Sequence, residues 1–353
     1  MPTLLSLSAT ATIIGVVEIK EILEERSWEQ FLIRQPHTSF LQSWAWGEFQ
    51  EKLGLSHHRF GIYQGGALEG ICQALVGRRR LGSFVYVPRG PILNSFEIGK
   101  ARAILEYLKD FAAGEKVDYL RVEPHWEAEQ GSAPVLQETG FRPAQVATSQ
   151  AGGITLLLDL SLSEGELLAQ MRKTTRYLIR SAEGLGIEIH RTADPRKMGE
   201  FHRLMKLTYR RQQFVPHPSF YLQTQFETLA PRGIAELVLA KYQGDILSMA
   251  VIFSYGDTVT YVHGASVRTS VPASYFLLWE AIKEAKKDGY RYFDFWGIAP
   301  TDDPRHPWYG YSLFKKGFGG YRVDYAGVWD YPLTPKYGAV FAVEKIRRLI
   351  RRY

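Results

Sequence analysis

The residues best suited to binding an anion lie on one predicted helix. Arg172, Arg176 and Arg180 repeat every four residues in the segment MRKTTRYLIRSAEGLGIEI, with Lys173 beside them. Residues four apart are neighbours on a helix surface, so this spacing stacks three guanidinium groups on one face. A guanidinium binds a phosphate through two parallel hydrogen bonds, which favours a phosphate contact here. From spacing alone, a solvated basic surface explains the pattern equally well.

Two further side chains could move a proton. Asp294, in FDFWG, ends a predicted central strand, where a carboxylate could orient or deprotonate an amine. A structural salt bridge would account for this residue as well. His263 precedes Gly264 and could titrate near neutral pH, but we expect a single histidine on a strand to belong to the core.

Covalent catalysis by a cysteine or serine is not expected, and neither is metal catalysis. The chain has one cysteine, Cys72, inside an apolar predicted strand, which excludes an intrachain disulfide. The sequence contains no Gly-x-Ser-x-Gly turn, and no His or Cys cluster has the spacing of metal ligands.

The composition is that of a globular protein with a moderate preference for anionic partners. The 353 residues exceed what one hydrophobic core usually supports, so we expect two domains. The 43 Lys and Arg against 37 Asp and Glu give a net charge of +6, less than in a dedicated nucleic-acid binder. Residues 1–17 are uncharged but lack the basic start of a signal peptide. Because no segment approaches the roughly 18 apolar residues of a membrane span, we expect a cytoplasmic protein whose membrane contact, if any, is peripheral and at the inner face.

An internal repeat supplies the elements that must position these residues. Apolar runs flank a turn in FGIYQGGALEGICQALV and again in LVLAKYQGDILSMAVIFSY. A helix-period stretch ending in glycine follows each hairpin, KARAILEYLKDFAAG and YFLLWEAIKEAKKDG, and a short strand follows each helix. Both copies end in a Gly-Phe pair, Gly140-Phe141 and Gly317-Phe318. This order predicts a duplicated unit.

The repeated unit of hairpin, crossover helix, strand and Gly-Phe turn resembles the GNAT acyltransferase fold. The resemblance implies an α/β (α+β) protein of two tandem GNAT-like domains, with mixed sheets flanked by helices and an acyl donor lying between splayed central strands. GNAT proteins that use coenzyme A bind its pyrophosphate on a glycine-rich loop. The corresponding stretches VPRGPILNS and YVHGASVRTSVPASY lack the paired glycines. Coenzyme A is therefore the less favoured donor.

The expected boundaries follow from the repeat. We predict a tail or first strand at 1–15, a first GNAT-like domain at 16–160, a second at 161–335 and a basic helix at 336–353. The C-terminal sequence VEKIRRLIRRY alternates apolar and basic residues in helical period. This pattern suits a tRNA backbone, an anionic membrane surface or a helix docked on the second domain.

The second domain is expected to begin with one basic helix at 163–184. Ser163 and Glu166 form a capping box at its start, and glycines follow its end. Its predicted apolar face consists of Leu167, Met171, Leu178 and Ala182.

Four stretches resemble the Fem (FemABX) family of aminoacyl-tRNA-dependent peptidyltransferases. They are FLQSWAWGEFQEKLG, YVPRGPIL, MRKTTRYLIRSAEGLGIEI and YFDFWGIAP with GYSLFKKGFGG, in the family's order along almost the whole chain. The resemblance implies transfer of an aminoacyl group from a charged tRNA to an amine on the stem peptide of a peptidoglycan precursor. The acceptor would be either a UDP-linked or a lipid-linked muropeptide, aminoacyl-tRNA would be the co-substrate, and no cofactor would be needed. We expect a monomer.

The resemblance also implies which residues take part in catalysis. The family's conserved lysine in the Phe-Lys-Lys stretch is implicated in catalysis, and it falls on Lys315, next to Phe314. An ammonium group there could face the oxyanion or the ribose leaving oxygen of an aminoacyl ester. We take Lys315, Phe314 and Asp294 as the catalytic candidates. Phe314, Trp296 and Trp308 could stack on a base of the substrates, although packing would explain these aromatic residues too.

Substrate binding is assigned by the same resemblance. An arginine of the basic helix contacts precursor phosphates in the family, and it matches Arg176, with Arg180 one turn later. A basic residue that some relatives use for a phosphate has no match in SWAWG, and Arg89 is its substitute. The full set of substrate-binding candidates is Arg176, Arg180, Arg89, Trp44, Trp46, Tyr86 and Tyr261.

The sequence departs from several Fem proteins in one respect, and two other functions stay open. The segment 196–233 is too short for the long coiled-coil arm that several members insert, so we expect none. One alternative function is a GNAT-like N-acyltransferase that uses an acyl-CoA or an acyl-carrier thioester. The other is a non-catalytic protein that binds cell-wall nucleotides or RNA.

Overall fold

The computed structural model describes residues 12–14, 17–128, 131–144, 153–212 and 217–351. Most of the predicted N-terminal tail, residues 1–11, lies outside them. The strands are β1 Thr12–Ile14, β2 Val17–Glu21, β3 Ser56–Gln64, β4 Ala67–Arg79, β5 Gly82–Val87, β6 Ile92–Leu93, β7 Tyr119–Val122, β8 Arg142–Pro143, β9 Ile154–Asp159, β10 Glu188–Thr192, β11 Ala235–Tyr242, β12 Asp245–Tyr255, β13 Thr258–Ser266, β14 Tyr292–Gly297, β15 Tyr321–Asp324 and β16 Trp329–Pro332. The helices are α1 Glu25–Leu32, α2 Trp44–Lys52, α3 Ile98–Gly114, α4 Ser132–Glu138, α5 Glu164–Gln170, α6 Lys173–Glu183, α7 Met198–Gln212, α8 Ser219–Leu229, α9 Ala273–Lys287, α10 Tyr309–Lys316 and α11 Tyr337–Arg351.

Distant parts of the chain combine into two compact units. The first consists of Met1–Leu32, Leu41–Ala151 and Tyr325–Arg348, and the second of Ile33–Phe40, Gly152–Asp324 and Leu349–Tyr353. These units differ from the continuous domains expected at 16–160 and 161–335. The reason is strand pairing, because β9 lies in the sheet of the second unit and β16 in the sheet of the first.

The first unit is built on one mixed sheet with the order β1-β2-β3-β4-β5-β7-β16-β8, and β6 pairs with β4. Among the described strands of this sheet, only β5 and β7 run parallel, from Phe84↔Tyr119 to Val87↔Val122. The crossover helix α3 lies between these two strands in the chain, and its buried Ile104, Leu105 and Leu108 belong to the same apolar core as Phe60 and Ile62. Burial of this helix face is what holds the crossover against the sheet.

The second unit repeats this arrangement with the order β10-β11-β12-β13-β14-β9-β15. Here β13 and β14 are the parallel pair, and the crossover helix α9 lies between them in the chain. Leu277, Trp279 and Ile282 of α9 are buried in one core with the strands. Both units therefore contain the predicted hairpin, crossover helix and parallel strand, and the predicted α/β fold of two mixed sheets flanked by helices is confirmed. Segment 196–233 forms the short helices α7 and α8 among its described residues, with no coiled-coil arm there.

The basic segment 163–184 forms two helices rather than the one predicted. The capping box of Ser163 and Glu166 is present at the start of α5. The chain is then extended at Met171 and Arg172, and the N–H of Arg172 donates to the carbonyl of Gly317 at 3.0 Å. Arg172 consequently precedes α6 and does not continue the helical row of Arg176 and Arg180. In the apolar face, Leu167, Met171 and Ala182 are buried as predicted, but Ile179 is buried in place of Leu178.

The basic C-terminal helix is α11, and its first turns pack on the first unit. Tyr337 and Val340 are buried in a cluster with Tyr119 of β7. Arg121 of β7 binds Asp330 and Glu344 through paired hydrogen bonds of 2.7 to 3.0 Å. The alternative of docking on the second domain is therefore wrong for these turns. Among the described residues no helix has the length and apolarity needed to span a bilayer.

Candidate active site

The parallel strands of the second sheet separate at their carboxyl ends. They pair only from Thr258↔Tyr292 to Thr260↔Asp294. Beyond that point β14 continues against β9 through an irregularity between Asp294 and Gly297. Ligands of α/β folds bind at the carboxyl ends of diverging parallel strands. This end of the second sheet is therefore the candidate active site.

Lys315 reaches this end from the last turn of α10. Its side chain is buried, with 8% of its surface exposed, and its Nζ donates to the carbonyl oxygen of Gly297 at 2.8 Å. Nζ lies 4.8 Å from the ring centre of Tyr311 and 6.0 Å from that of Tyr261. Burial lowers the pKa of Lys315 to about 7, although the charge of Asp294 opposes the shift. Near neutral pH both the ammonium and the amine form are populated, so Lys315 is suited to proton transfer.

The neighbouring Lys316 points elsewhere. Its Nζ makes an ion pair with Asp302 at 2.5 Å, and the side chain is partly exposed. The two lysines point in different directions because they are consecutive residues of the helix α10.

Asp294 is a buried carboxylate with several hydrogen-bond donors. Its Oδ1 accepts bonds from the N–H of Trp296 at 2.6 Å and from the hydroxyl of Thr155, and its Oδ2 lies 3.3 Å from Nε2 of His37. Burial raises the pKa of Asp294, but the hydrogen bond and charge of His37, together with the bonds from Thr155 and Trp296, lower the pKa overall. An ionised carboxylate held in this way is a poor proton acceptor. It is placed to shape the strand end and to act on Lys315 through its charge.

The strand end that Asp294 holds has an unusual backbone. Trp296 has a φ of 63°, a backbone conformation that residues other than glycine rarely adopt. Its ring stacks on Phe40 with 5.2 Å between ring centres. Phe40 belongs to the segment 33–40, whose His37 and Thr38 N–H groups donate to the carboxylate of Asp257. This segment therefore supports the site from a distant part of the chain.

Sequence reasoning missed His37 and Thr155 as partners of Asp294. The three residues are far apart in the chain, with separations of 257 residues from His37 and 139 from Thr155. No local periodicity or motif marks such long-range contacts, so only the folded sheet reveals them.

Tyr261 and His263 lie on β13 at the same end. The Tyr261 hydroxyl lies so close over Gly264 that a Cβ there would be 1.7 Å from the oxygen, which explains the glycine. Burial, aided by the charges of His217 and Lys315, lowers the pKa of His263 to about 3. His263 is therefore neutral near pH 7, with Nε2 3.4 Å from Oε1 of Gln225. The expectation of a structural histidine fits this environment better than that of a base titrating near neutrality.

Phe314 and the glycines of the FKKGFGG stretch fix the helix that carries Lys315. The Phe314 ring packs against Tyr275 and Phe318 with 4.9 and 5.5 Å between ring centres. Gly319 and Gly320 have φ values of 86° and 87°, and a Cβ on Gly320 would be 2.2 Å from the carbonyl oxygen of Leu157. The pair is thus required where the chain leaves α10 and passes close to β9.

Cys72 cannot supply a reactive thiolate. It is fully buried in β4, and burial raises the pKa of its thiol. In the described ranges no group of three or more His, Cys, Asp or Glu side chains is arranged to hold a metal ion.

Comparison with known proteins shows which families the chain resembles. The FemAB family model matches residues 23–138, and the model of an acetyltransferase (GNAT) domain matches residues 169–306. The lipid II:glycine glycyltransferase of Staphylococcus epidermidis is 22% identical over 90% of this chain and 93% of that protein. The crystal structure of FemX, 21% identical, covers 92% of this chain and 99% of its own with a TM-score of 0.79. The chain therefore resembles the Fem family in its first part and has the fold of FemX.

The fold of this protein is also that of tandem GNAT proteins. One from the clavulanic acid biosynthesis pathway has a TM-score of 0.51 at 12% identity, covering 80% of this chain and 84% of that one. The names of the glycyltransferase relatives and of the acetyltransferase domain model both describe the transfer of an acyl group.

The two predicted phosphate ligands on α6, Arg176 and Arg180, differ in their surroundings. Arg176 donates through Nη1 to the carbonyls of Met171, Ala169 and Leu168, the last two at 3.2 and 3.4 Å. These carbonyls are at the end of α5, so Arg176 caps that helix. Arg180 is exposed to solvent.

The remaining candidates belong to the first unit. The indole of Trp44 is covered by the guanidinium of Arg59, whose carbon lies 3.5 Å from the ring centre, and sequence reasoning did not single out Arg59. Trp46 is buried beside Phe49 and belongs to the core, so a role in lining the precursor site does not suit it. Of the two tryptophans, Trp44 is therefore the better candidate for contacting the precursor.

Tyr86 and Arg89 lie at the carboxyl ends of β5 and β7. The Tyr86 hydroxyl donates to Oε1 of Glu123 at 2.8 Å. Arg89 is buried at a φ of 49°, with its guanidinium carbon 3.6 Å from the ring centre of Tyr325. The structure therefore groups Tyr86 and Arg89 in the first unit, and Lys315, Asp294 and Tyr261 in the second.

Proposed function

We propose that this protein is a Fem family enzyme and transfers an aminoacyl group from an aminoacyl-tRNA to an amine on the stem peptide of a lipid-linked peptidoglycan precursor. The observation that carries the proposal is the buried side-chain nitrogen of Lys315 at the divergent end of β13 and β14. The names of the relatives support it, because lipid II:glycine glycyltransferases match the chain over almost their whole length.

The reaction is the aminolysis of an ester. The acceptor amine attacks the ester carbonyl, a C–N bond forms, and negative charge develops on the carbonyl oxygen. The C–O bond to the ribose then breaks, and the proton lost by the amine ends on the ribose oxygen. Such a reaction needs bound and oriented reactants and a donor for the oxyanion, but no protein nucleophile.

Lys315 is the residue that can provide this donor. Its ammonium form can stabilise the oxyanion and pass a proton to the leaving ribose oxygen, because a pKa of about 7 makes both protonation states accessible. The carbonyl of Gly297 orients the group, and the faces of Tyr311 and Tyr261 favour its positive charge. Asp294 acts as a positioning residue that keeps the pKa of Lys315 from falling further.

The substrates are held by other parts of the chain in this proposal. Arg180, with Arg176, would bind the phosphates of the precursor, and Trp44, Tyr86 and Arg89 would contact the precursor from the first unit. Aminoacyl-tRNA is the co-substrate, and the reaction as written uses no cofactor.

Muropeptide analysis of cells tests the function. Mass spectrometry would compare cells lacking the gene, complemented with the wild type, Lys315→Ala or Lys316→Ala. We expect the side-branch residue to be lost in the deletion strain and in Lys315→Ala cells, and restored by the wild type and Lys316→Ala. Unchanged muropeptides in the deletion strain, with a redundant enzyme excluded by assaying extracts, would contradict the proposal.

A further inference from the structure

The C-terminal helix α11 has two faces with opposite surroundings. On one face Tyr337 and Val340 are buried against Tyr119, and Glu344 pairs with Arg121 at 2.7 Å. This face anchors the helix to the first unit. The apolar side chains on the opposite face are exposed to solvent.

Large aliphatic side chains are exposed on that opposite face. Ile346, Leu349 and Ile350 have 55%, 70% and 76% of their surface exposed, and the exposed Ala339 and Ala342 precede them at helical spacing. These residues form one stripe along the helix, which we call the outer stripe. A stripe of exposed large aliphatic residues on a helix marks a surface that binds an apolar partner.

Positive charge flanks the outer stripe. On a helix of 3.6 residues per turn, Lys345 lies on one side of Ile346 and Arg347 on the other, and both are exposed. The one acidic residue of α11, Glu344, lies on the anchored face in contact with Arg121. The outer side of the helix therefore combines aliphatic side chains with cations alone.

We propose that the outer stripe of α11 binds the surface of an anionic lipid bilayer. Helices that lie in a membrane interface have an apolar stripe bordered by lysine and arginine, whose long side chains reach the headgroups. An RNA backbone would satisfy the cations but would leave the three aliphatic side chains in water. A second copy of the helix would cover the aliphatic side chains but would bring like charges together.

The anchored face gives this contact a consequence for the enzyme. Because Arg121 joins β7 to α11, lipid binding by the outer stripe brings the first unit to the membrane. One short interfacial helix gives reversible binding and not permanent anchoring. The inference is independent of the proposed reaction, since it concerns lipid affinity and not catalysis.

Vesicle sedimentation with the full chain tests the proposal. The probes are phosphatidylglycerol vesicles and phosphatidylcholine vesicles of equal size. We expect the wild type to bind the anionic vesicles at least about 10-fold more tightly than the neutral ones, and salt to weaken that binding. Ile346→Ser/Leu349→Ser/Ile350→Ser should lower the affinity about 100-fold by removing the aliphatic contact. Lys345→Glu/Arg347→Glu should abolish the preference for anionic lipid.

The matched control is Leu23→Ser. Leu23 is 75% exposed in the first unit, so this variant removes an equally exposed aliphatic side chain from another surface and should bind as the wild type does. Circular dichroism checks that each variant is folded. If the triple variant does not fold, the vesicle binding of the Lys345→Glu/Arg347→Glu variant and the salt dependence of wild-type binding test the proposal.

Three results would overturn the proposal. The first is a wild type that does not sediment with phosphatidylglycerol vesicles. The second is a folded triple variant that binds them normally. The third is a triple variant whose only defect is in self-association by ultracentrifugation or in tRNA binding.

Discussion

The side-chain nitrogen of Lys315 lies 2.8 Å from the carbonyl oxygen of Gly297, the last residue of β14. This hydrogen bond joins the helix of the FKKGFGG stretch to the strand that also carries Asp294. The buried cation is therefore fixed at the point where β13 and β14 diverge.

Replacing Lys315 by alanine should reduce the rate of transfer with little change in precursor affinity. A donor to a developing oxyanion contributes to the transition state and not to the ground state, and its loss typically costs about 10²- to 10³-fold in kcat. Steady-state kinetics with purified enzyme would measure both constants. Lys316→Ala is the matched control, because Lys316 pairs with Asp302 at the surface, and it should stay within a few-fold of the wild type. Near-normal turnover of Lys315→Ala would remove Lys315 from the mechanism.

Turnover should depend on pH through Lys315. Since its pKa is about 7 and the ammonium form is the active one, kcat should fall as the pH rises above that value. The negative charge of Asp294 raises the pKa of Lys315, and Asp294→Asn removes that charge. In this variant kcat should therefore begin to fall at a lower pH than in the wild type. Profiles of kcat against pH for the two proteins test this. A fall in kcat that begins at the same pH in both proteins, or at a higher pH in the variant, would contradict the coupling between Asp294 and Lys315.

The same pKa predicts how stability changes with pH. Burial lowers the pKa of Lys315 from 10.5 to about 7, so between these values the unfolded chain binds more protons than the folded one. The cost of burying the cation is complete below pH 7 and is relieved as the pH rises towards 10.5. Relative to Lys315→Met, the wild type should gain about 2 kcal/mol between pH 7 and 9. Urea unfolding at both pH values would measure the difference, and parallel stability curves would show that Lys315 is not buried as a cation.

Two glycines near Lys315 should respond oppositely to alanine. Gly320→Ala places a Cβ 2.2 Å from the carbonyl of Leu157 at a positive φ, so it should lower the free energy of unfolding by about 3 kcal/mol or more. Gly310→Ala lies in α10 with nothing within 4 Å of the new Cβ and should stabilise by about 0.5 to 1 kcal/mol. Denaturant titration of both variants provides the comparison. Equal effects of the two substitutions on stability would show that Gly320 is not required for the close approach of the chain to β9.

Substitution of Arg176 and of Arg180 should distinguish a helix-capping role from a role in phosphate binding. Arg176→Ala removes the bonds to the last carbonyls of α5 and should cost about 1 to 2 kcal/mol of stability, whereas Arg180→Ala should cost under about 0.5 kcal/mol. If Arg176 also holds a precursor phosphate, its removal should raise KM for the precursor roughly 10- to 150-fold, and lysine should recover only part of that. Thermal unfolding and KM would be measured for each variant. An unchanged KM in both alanine variants would leave α6 without a phosphate role.

Features set by neighbouring residues were predictable from the sequence. The capping box of Ser163 and Glu166, the turn at Gly244 and the glycine after α9 depend on local backbone chemistry, and the structure contains all three. The repeat of hairpin, crossover helix and strand was predictable for the same reason.

Features set by distant residues were not predictable. The break between α5 and α6 depends on the bond from Arg172 to Gly317, and the placement of β16 depends on pairing with β7. In the site, the Phe-Lys-Lys resemblance pointed to Lys315, but the bond to Gly297 and the partners of Asp294 arise only when the sheet is formed. Local periodicity contains no information about such contacts.

A reconstituted transfer assay tests the central claim most directly. Purified enzyme would be mixed with a lipid-linked precursor and with either radiolabelled aminoacyl-tRNA or radiolabelled acyl-CoA, and the product analysed by mass spectrometry. We predict label on a stem-peptide amine with aminoacyl-tRNA as donor, with loss of this product in Lys315→Ala and not in Lys316→Ala. Transfer from acyl-CoA alone, with none from any aminoacyl-tRNA, would contradict the account.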